Sequence, residues 1–196
     1  MGAPRVHIVD LDGAISGELC NLDIITEIAG ALLVPTQVGG GIRHLNTVEK
    51  LLRAGLERII LGTSAVKDPT LVKEACRNFS ESIIVGLDTQ EGHIAIHGWR
   101  QKTELMAIEF AKAMVELGVK RFIYTDISRD GTLTEPNFTA ITELVNTIRL
   151  PIIAAGGISS LNHLRMLGQL GVEGAIVGKA LYTGNINLKQ ALATVS

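Results

Sequence analysis

Aromatic side chains are scarce in this chain: one tryptophan, two tyrosines and four phenylalanines among 196 residues. Aliphatic residues must therefore fill the core, as in a parallel α/β protein whose strands are covered on both faces. Cysteine is nearly absent as well. Cys20 and Cys76 lie far apart without metal-ligand spacing, so they read as thiols of a cytosolic protein rather than as a disulfide or a metal site. An excess of either charge is missing too. The formal net charge is −2 with no basic block, which argues against nucleic acid or an anionic membrane as a partner. No apolar run reaches roughly 18 residues, the length of a membrane-spanning helix, and no charged-then-apolar leader opens the chain. These absences predict a soluble cytoplasmic protein. No linker or low-complexity tract interrupts residues 1–196, a length that suits one domain.

What the chain does have is a repeat. PTQVGGGIR at 35–43 returns as PIIAAGGIS at 151–159, an offset of 116 positions from Pro35 to Pro151. The same offset pairs Asp10 with Asp126, Asn21 with Asn137, Gly55 with Gly171, Glu57 with Glu173 and Gly62 with Gly178. No insertion breaks the register. A period this long is too great for an ordinary solenoid and marks two halves of one domain.

Short β-branched runs alternate along the chain with stretches of helical spacing. Strands are predicted at 5–11, 35–40, 58–63, 83–89, 121–127, 151–157 and 174–180, with a further short one in HIAIHGW at 93–99. Helices are predicted at 22–33, 47–55, 106–118 and 138–148 from apolar residues at i, i+3, i+4 and i+7. Repeated βα units imply parallel strands joined by right-handed crossovers. Seven main strands do not divide into equal halves, and the block from Ile83 to Lys120 has no twin at the front. The pattern therefore fits a (βα)8 barrel of the TIM type that lacks its first βα unit. A complete barrel takes about 250 residues, and one more unit would approach that size. An open doubly wound sheet is the alternative, but it predicts no repeat between halves.

In such a barrel the chemistry gathers in loops at the carboxyl ends of the strands. Gly40-Gly41 and Gly62-Thr63 end strands in the first half, and Gly156-Gly157 and Gly178-Lys179 end their twins in the second. Bare N–H groups at helix N-termini favour an anion, so each set is a candidate phosphate cradle. The plainer reading is that these glycines only permit tight turns. Asp10, Asp88 and Asp126 also end strands, and Asp130 follows in SRDGT. Carboxylates so placed serve as acids or bases or cap the next helix; for Asp10 both readings stand. Thr125 and Asp126 are adjacent and so face opposite sides of a strand. Thr125 is expected inward.

Several motifs together carry a resemblance along the whole chain. VHIVDLDGA (6–14), QVGGGIR (37–43), GLDT (86–89), HGW (97–99), YTDISRDGTLTEPN (124–137) and AAGGIS (154–159) resemble the isomerase of histidine biosynthesis that acts on phosphoribosylformimino-aminoimidazole carboxamide ribotide. The sister cyclase subunit of imidazole glycerol phosphate synthase shares the duplicated barrel and ranks second, because HGW is not expected there. A non-catalytic bis-phosphate-binding relative is the other alternative. The resemblance implies a small-molecule substrate with a phosphate at each end, an Amadori rearrangement and no metal or organic cofactor. It makes Asp88 the general acid, with Thr125 and Asp130 assisting. Asp10, Arg43 and Trp99 join the two glycine cradles in binding substrate, with Trp99 on a mobile loop over the imidazole ring.

The resemblance also places the catalytic base on an aspartate ending the first strand, the half-barrel twin of Asp88. Subtracting the offset from Asp88 puts that twin ahead of Met1. The expectation is a chain impaired in turnover, with two open sheet edges that favour self-association.

Overall fold

A computed structural model of the chain describes residues 2–195. Strands β1 (Val6–Val9), β2 (Thr36–Gly39), β3 (Arg58–Leu61) and β4 (Ile83–Gln90) are followed, after the hairpin strands β5 (His93–Ile96) and β6 (Gln101–Met106), by β7 (Phe122–Asp126), β8 (Ile152–Ala155) and β9 (Gly174–Ala175). Seven of them form one parallel path in the order β1-β2-β3-β4-β7-β8-β9. The hairpin branches off the carboxyl end of β4, where Thr89 pairs with Ile94 in antiparallel sense. Every carboxyl end on the parallel path therefore points the same way, which brings the Gly40 and Gly156 turns to one face.

The helices are α1 (Leu11–Ser16), α2 (Leu22–Ala31), α3 (Leu45–Arg53), α4 (Thr63–Lys67), α5 (Pro69–Phe79), α6 (Ala107–Glu116), α7 (Phe138–Ile148), α8 (Leu161–Gln169), α9 (Lys179–Tyr182) and α10 (Leu188–Val195). Their starts follow local chemistry. Asp68 accepts a hydrogen bond from the Leu71 amide at 3.1 Å ahead of Pro69, Asn137 accepts from Ala140 and Ser160 from His163, both at 3.2 Å. Each such cap contributes about 1 kcal/mol. Arg149 ends α7 in a left-handed conformation.

The sheet is curled. Arg58, at the start of β3, donates to Glu173, just ahead of β9, at 3.1 Å, although β4, β7 and β8 stand between them in the sheet. Only a wall bent like a barrel brings those two ends together. Glu173 also accepts from Arg121, and Arg5 donates to Glu57 at 2.7 Å. Arg5 and Arg121 differ by the repeat offset, as do Glu57 and Glu173, so one ion pair recurs in both halves at the amino end of the sheet.

Side chains alternate between two environments. Val38, Ile59, Leu61, Val85 and Phe122 pack outward against Leu51, Val72, Ile141 and Leu144 of the helices, all fully or nearly fully buried. Ile84, Ile123 and Ile153 form a separate inner cluster with Ile60, Ala155 and Ile176. Period two then sends Asp88 and Thr125 inward, four and two residues beyond Ile84 and Ile123. Among the described residues β1 and β9 each have one strand partner and end the path.

Some predicted bounds are corrected. The strand expected at 5–11 stops at Val9, because Asp10 caps α1 through Gly13 N. The strand expected at 174–180 covers only Gly174–Ala175, and Lys179 already begins a helix. The helix expected at 106–118 starts at Ala107, since Met106 closes β6. The short strand at 93–99 ends at Ile96, leaving His97, Gly98 and Trp99 in a turn.

Candidate active site

The carboxyl mouth is framed by two copies of the same loop anchor. Asp10 is 2% exposed, and its carboxylate accepts from Gly13 N at 2.9 Å, Cys20 N at 2.7 Å, Asn21 N at 3.0 Å and Asn21 Nδ2 at 2.7 Å. Burial alone would raise its pKa, but those hydrogen bonds outweigh it and hold Asp10 below the usual carboxylate range. Its twin Asp126 accepts from Ser128 N at 3.1 Å, Ser128 Oγ at 2.6 Å and Asn137 Nδ2 at 2.8 Å. Both carboxylates spend their lone pairs on their own loops. Of the two readings of Asp10, the geometry shows the cap and loop anchor.

Each anchored loop presses its backbone on the next glycine turn. Gly40 and Gly41 have φ of 108° and 70°, Gly156 and Gly157 of 89° and 75°. A Cβ on Gly40 would run into the Asp10 carbonyl, and one on Gly156 would sit 2.9 Å from the Asp126 carbonyl. A Cβ on Gly157 would overlap the Glu135 carbonyl, and one on Gly41 would lie 2.5 Å from that of Glu18. The tight-turn role of these glycines is thus physical, and it leaves bare N–H groups at the mouth as well.

The second glycine of each cradle is duplicated in conformation: Gly62 has φ −104° and ψ −101°, Gly178 −105° and −99°. Each follows the strand next to its partner turn, since β2 pairs with β3 and β8 with β9. In the second half this makes a cavity of about 150 Å³ lined by Gly131, Gly156, Gly157, Gly178, Lys179 and Asp130. Lys179 Nζ donates to Gly131 O at 2.7 Å, so a cation stands on its rim. In the first half Thr63 takes the place of Lys179, and the Arg43 guanidinium lies against Gly17, close to the Gly41 turn.

Between the cradles lies the acidic centre. Asp88 and Thr125 are register partners on β4 and β7. Desolvation by burial raises the Asp88 pKa. The Trp99 indole and the Thr125 hydroxyl oppose that rise by favouring the anion, and the Asp130 charge adds to it. Asp88, Trp99, Thr125 and Asp130 therefore meet in one place. Thr125 is buried, its carbonyl accepting from Thr89 Oγ1 at 3.1 Å, whereas Asp130 is exposed. A half-buried carboxyl whose pKa is pushed up is more readily protonated than an exposed one, which suits it to deliver a proton.

Sequence reasoning missed the polar part of the interior. Gln37 Nε2 and His7 Nδ1 are 2.9 Å apart on β2 and β1, at the twin positions of Ile153 and Ile123. Burial lowers the His7 pKa to about 4, which keeps its ring neutral. The signal was present in strand parity, since His7 and Gln37 fall on inward positions of otherwise apolar runs. Among the described residues no group of three or more His, Cys, Asp or Glu side chains is placed to hold a metal ion, and no helix is long and apolar enough to cross a membrane.

A parallel sheet curled into a partial barrel, with its polar groups gathered at the carboxyl mouth, is the architecture of a TIM-barrel-type enzyme. Residues 1–187 match the family model described as Histidine biosynthesis protein, and the chain belongs to that family. It is 57% identical over 196 residues to the 1-(5-phosphoribosyl)-5-((5-phosphoribosylamino)methylideneamino)imidazole-4-carboxamide isomerase of a Dehalococcoides mccartyi strain, covering 100% of this chain and 83% of the relative. Isomerases of the same name from Thermoanaerobacter pseudethanolicus and Acetivibrio thermocellus are each 52% identical over 192 residues, 98% of this chain and 81% of theirs.

Proposed function

We propose that this chain is an aldose–ketose isomerase of histidine biosynthesis, acting in the cytoplasm on the bis-phosphorylated aminoimidazole carboxamide ribotide for which its relatives are named. The observation that carries this reading is the pair of twin glycine cradles on one mouth, flanking the Asp88, Thr125 and Asp130 group. One cradle (Gly40, Gly41, Gly62, Thr63, with Arg43) takes one terminal phosphate. The other (Gly156, Gly157, Gly178, Lys179) takes the second, and Trp99 covers the heterocycle.

The reaction then needs an acid and a base. Asp88, whose pKa burial and Asp130 keep high, is the proton store. With Asp130 at the exposed wall it protonates the ribose ring oxygen as the ring C–O bond breaks, leaving a Schiff base. Removal of the C2 proton gives an enolamine, which tautomerises to the aminoketose. The seam between β9 and β1 ends the strand path beside the mouth, and a carboxylate reaching in there would serve as the base for that step. That open seam, bordered by exposed Val9 and Leu11, also favours self-association.

Isomerisation assayed with the chain alone and with a supplied βα segment tests the reading. Turnover is expected to depend on the segment. Asp88→Asn and Asp130→Asn should each lower kcat by about 100-fold or more while substrate affinity stays within a few fold. Undiminished turnover in Asp88→Asn refutes its role. Sedimentation at increasing concentration checks self-association, and a monomer throughout would reject it.

A further inference from the structure

The turn that carries Trp99 is held in an unusual way. His97, Gly98 and Trp99 have φ of 57°, 60° and 68°, three successive left-handed residues of which two carry side chains. Such a run is sparsely populated without outside support. Two supports are visible. The His97 amide donates to Thr63 Oγ1 at 2.8 Å, and Gly98 lies so close to α1 that a Cβ there would stand 3.3 Å from Ala14 O. Trp99 is thereby delivered to Asp88 while remaining 43% exposed.

Thr63 is therefore doubly placed. Its oxygen accepts the His97 N–H, which leaves its own O–H proton free to donate. It also sits beside Gly62 in the first glycine cradle, where an anion would need such a donor. We propose that Thr63 is a positioning residue that relays occupancy of the first cradle to the Trp99 turn. A phosphate oxygen accepting the Thr63 O–H polarises the hydroxyl, strengthens its acceptance of the His97 N–H and fixes Trp99 over Asp88. Thr63 acts through the turn and touches no reacting atom. The inference rests on the proposed function only for what Trp99 then does, since the relay itself needs no turnover.

Trp99 is the sole tryptophan of the chain, so its fluorescence reports the turn directly. The probe is inorganic phosphate, with acrylamide as quencher. In the unsubstituted chain phosphate should lower quenching of Trp99 and slow exchange of the His97 amide by about fivefold, the scale of one ordinary hydrogen bond. In Thr63→Val quenching should start about twofold higher and no longer respond to phosphate, and Thr63→Ser should restore both behaviours. Equal quenching in Thr63→Val and the parent, or a His97 amide indifferent to phosphate, overturns the relay. The amide measurement needs no variant, so a misfolded Thr63→Val does not shield the idea. A chain that shows the relay yet no isomerisation even with the supplied βα segment would count against the proposed function alone.

Discussion

The two halves of this molecule share a frame and differ in contents. Arg5 and Glu57 recur as Arg121 and Glu173, the Asp10–Asn21 anchor as Asp126–Asn137, and Gly62 and Gly178 agree within a few degrees. The interior does not recur. Where the second half has Ile123 and Ile153, the first has a part-buried His7–Gln37 pair, and where the second has Lys179, the first has Thr63. Positions that shape the backbone kept their chemistry, because a carbonyl pressed on a glycine tolerates nothing larger. Positions that face the mouth were free to diverge into separate tasks.

The sharpest break of that symmetry is steric. Alanine at Gly40 should cost on the order of 3 kcal/mol, and alanine at Gly156 clearly less, because only the first overlaps a carbonyl outright. At the next position the order reverses, Gly157→Ala being worse than Gly41→Ala. Urea unfolding of the four variants checks the crossing pattern.

Next come the anchors. Asp10→Ala should lose about 2–3 kcal/mol, since it strands three backbone N–H groups and the Asn21 amide. The pH dependence follows from its depressed pKa. A carboxylate whose pKa falls on folding contributes stability above its unfolded value of about 4, and that contribution is lost as pH falls through the folded value. Asp10→Asn should flatten the acid limb of the unfolding midpoint below about pH 4.

A smaller effect sharpens the contrast of the interiors. His7→Ile installs the twin residue but leaves the Gln37 amide without its partner, at about 1–2 kcal/mol, and adding Gln37→Ile should recover most of it. Because the folded His7 pKa is lowered to about 4, the parent should lose stability as pH falls from about 6.5 towards that value. The doubly substituted chain should not. Thermal melts across that range decide it. The smallest change is at the amino end, where Glu57→Gln and Glu173→Gln should each cost about 0.5–1 kcal/mol, these groups being partly exposed.

Much of this was legible in advance, and the reasons are local. The offset repeat showed itself through glycines and aspartates whose spacing the backbone enforces, and the seven parallel strands fell where β-branched runs stand. The β5–β6 hairpin was half seen because Gln101–Met106 is largely exposed and polar, without an alternating apolar face. β9 shrank because strand-like GAIVG turns early at Gly178 into α9. The Arg5–Arg121 twin was readable by subtraction and was overlooked. The contact of Thr63 with His97 joins a strand end to a turn 34 residues away, and no periodicity announces it.

Among the described residues β4 is the longest strand and the only one in the parallel path hydrogen-bonded to three others. Opening motions that start at β1 or β9 must peel away two or more strands before they reach it. Its amides should be the last to exchange with deuterium. Asp88 consequently rides on the stiffest rail of the molecule, so its carboxyl holds its aim while the rims breathe.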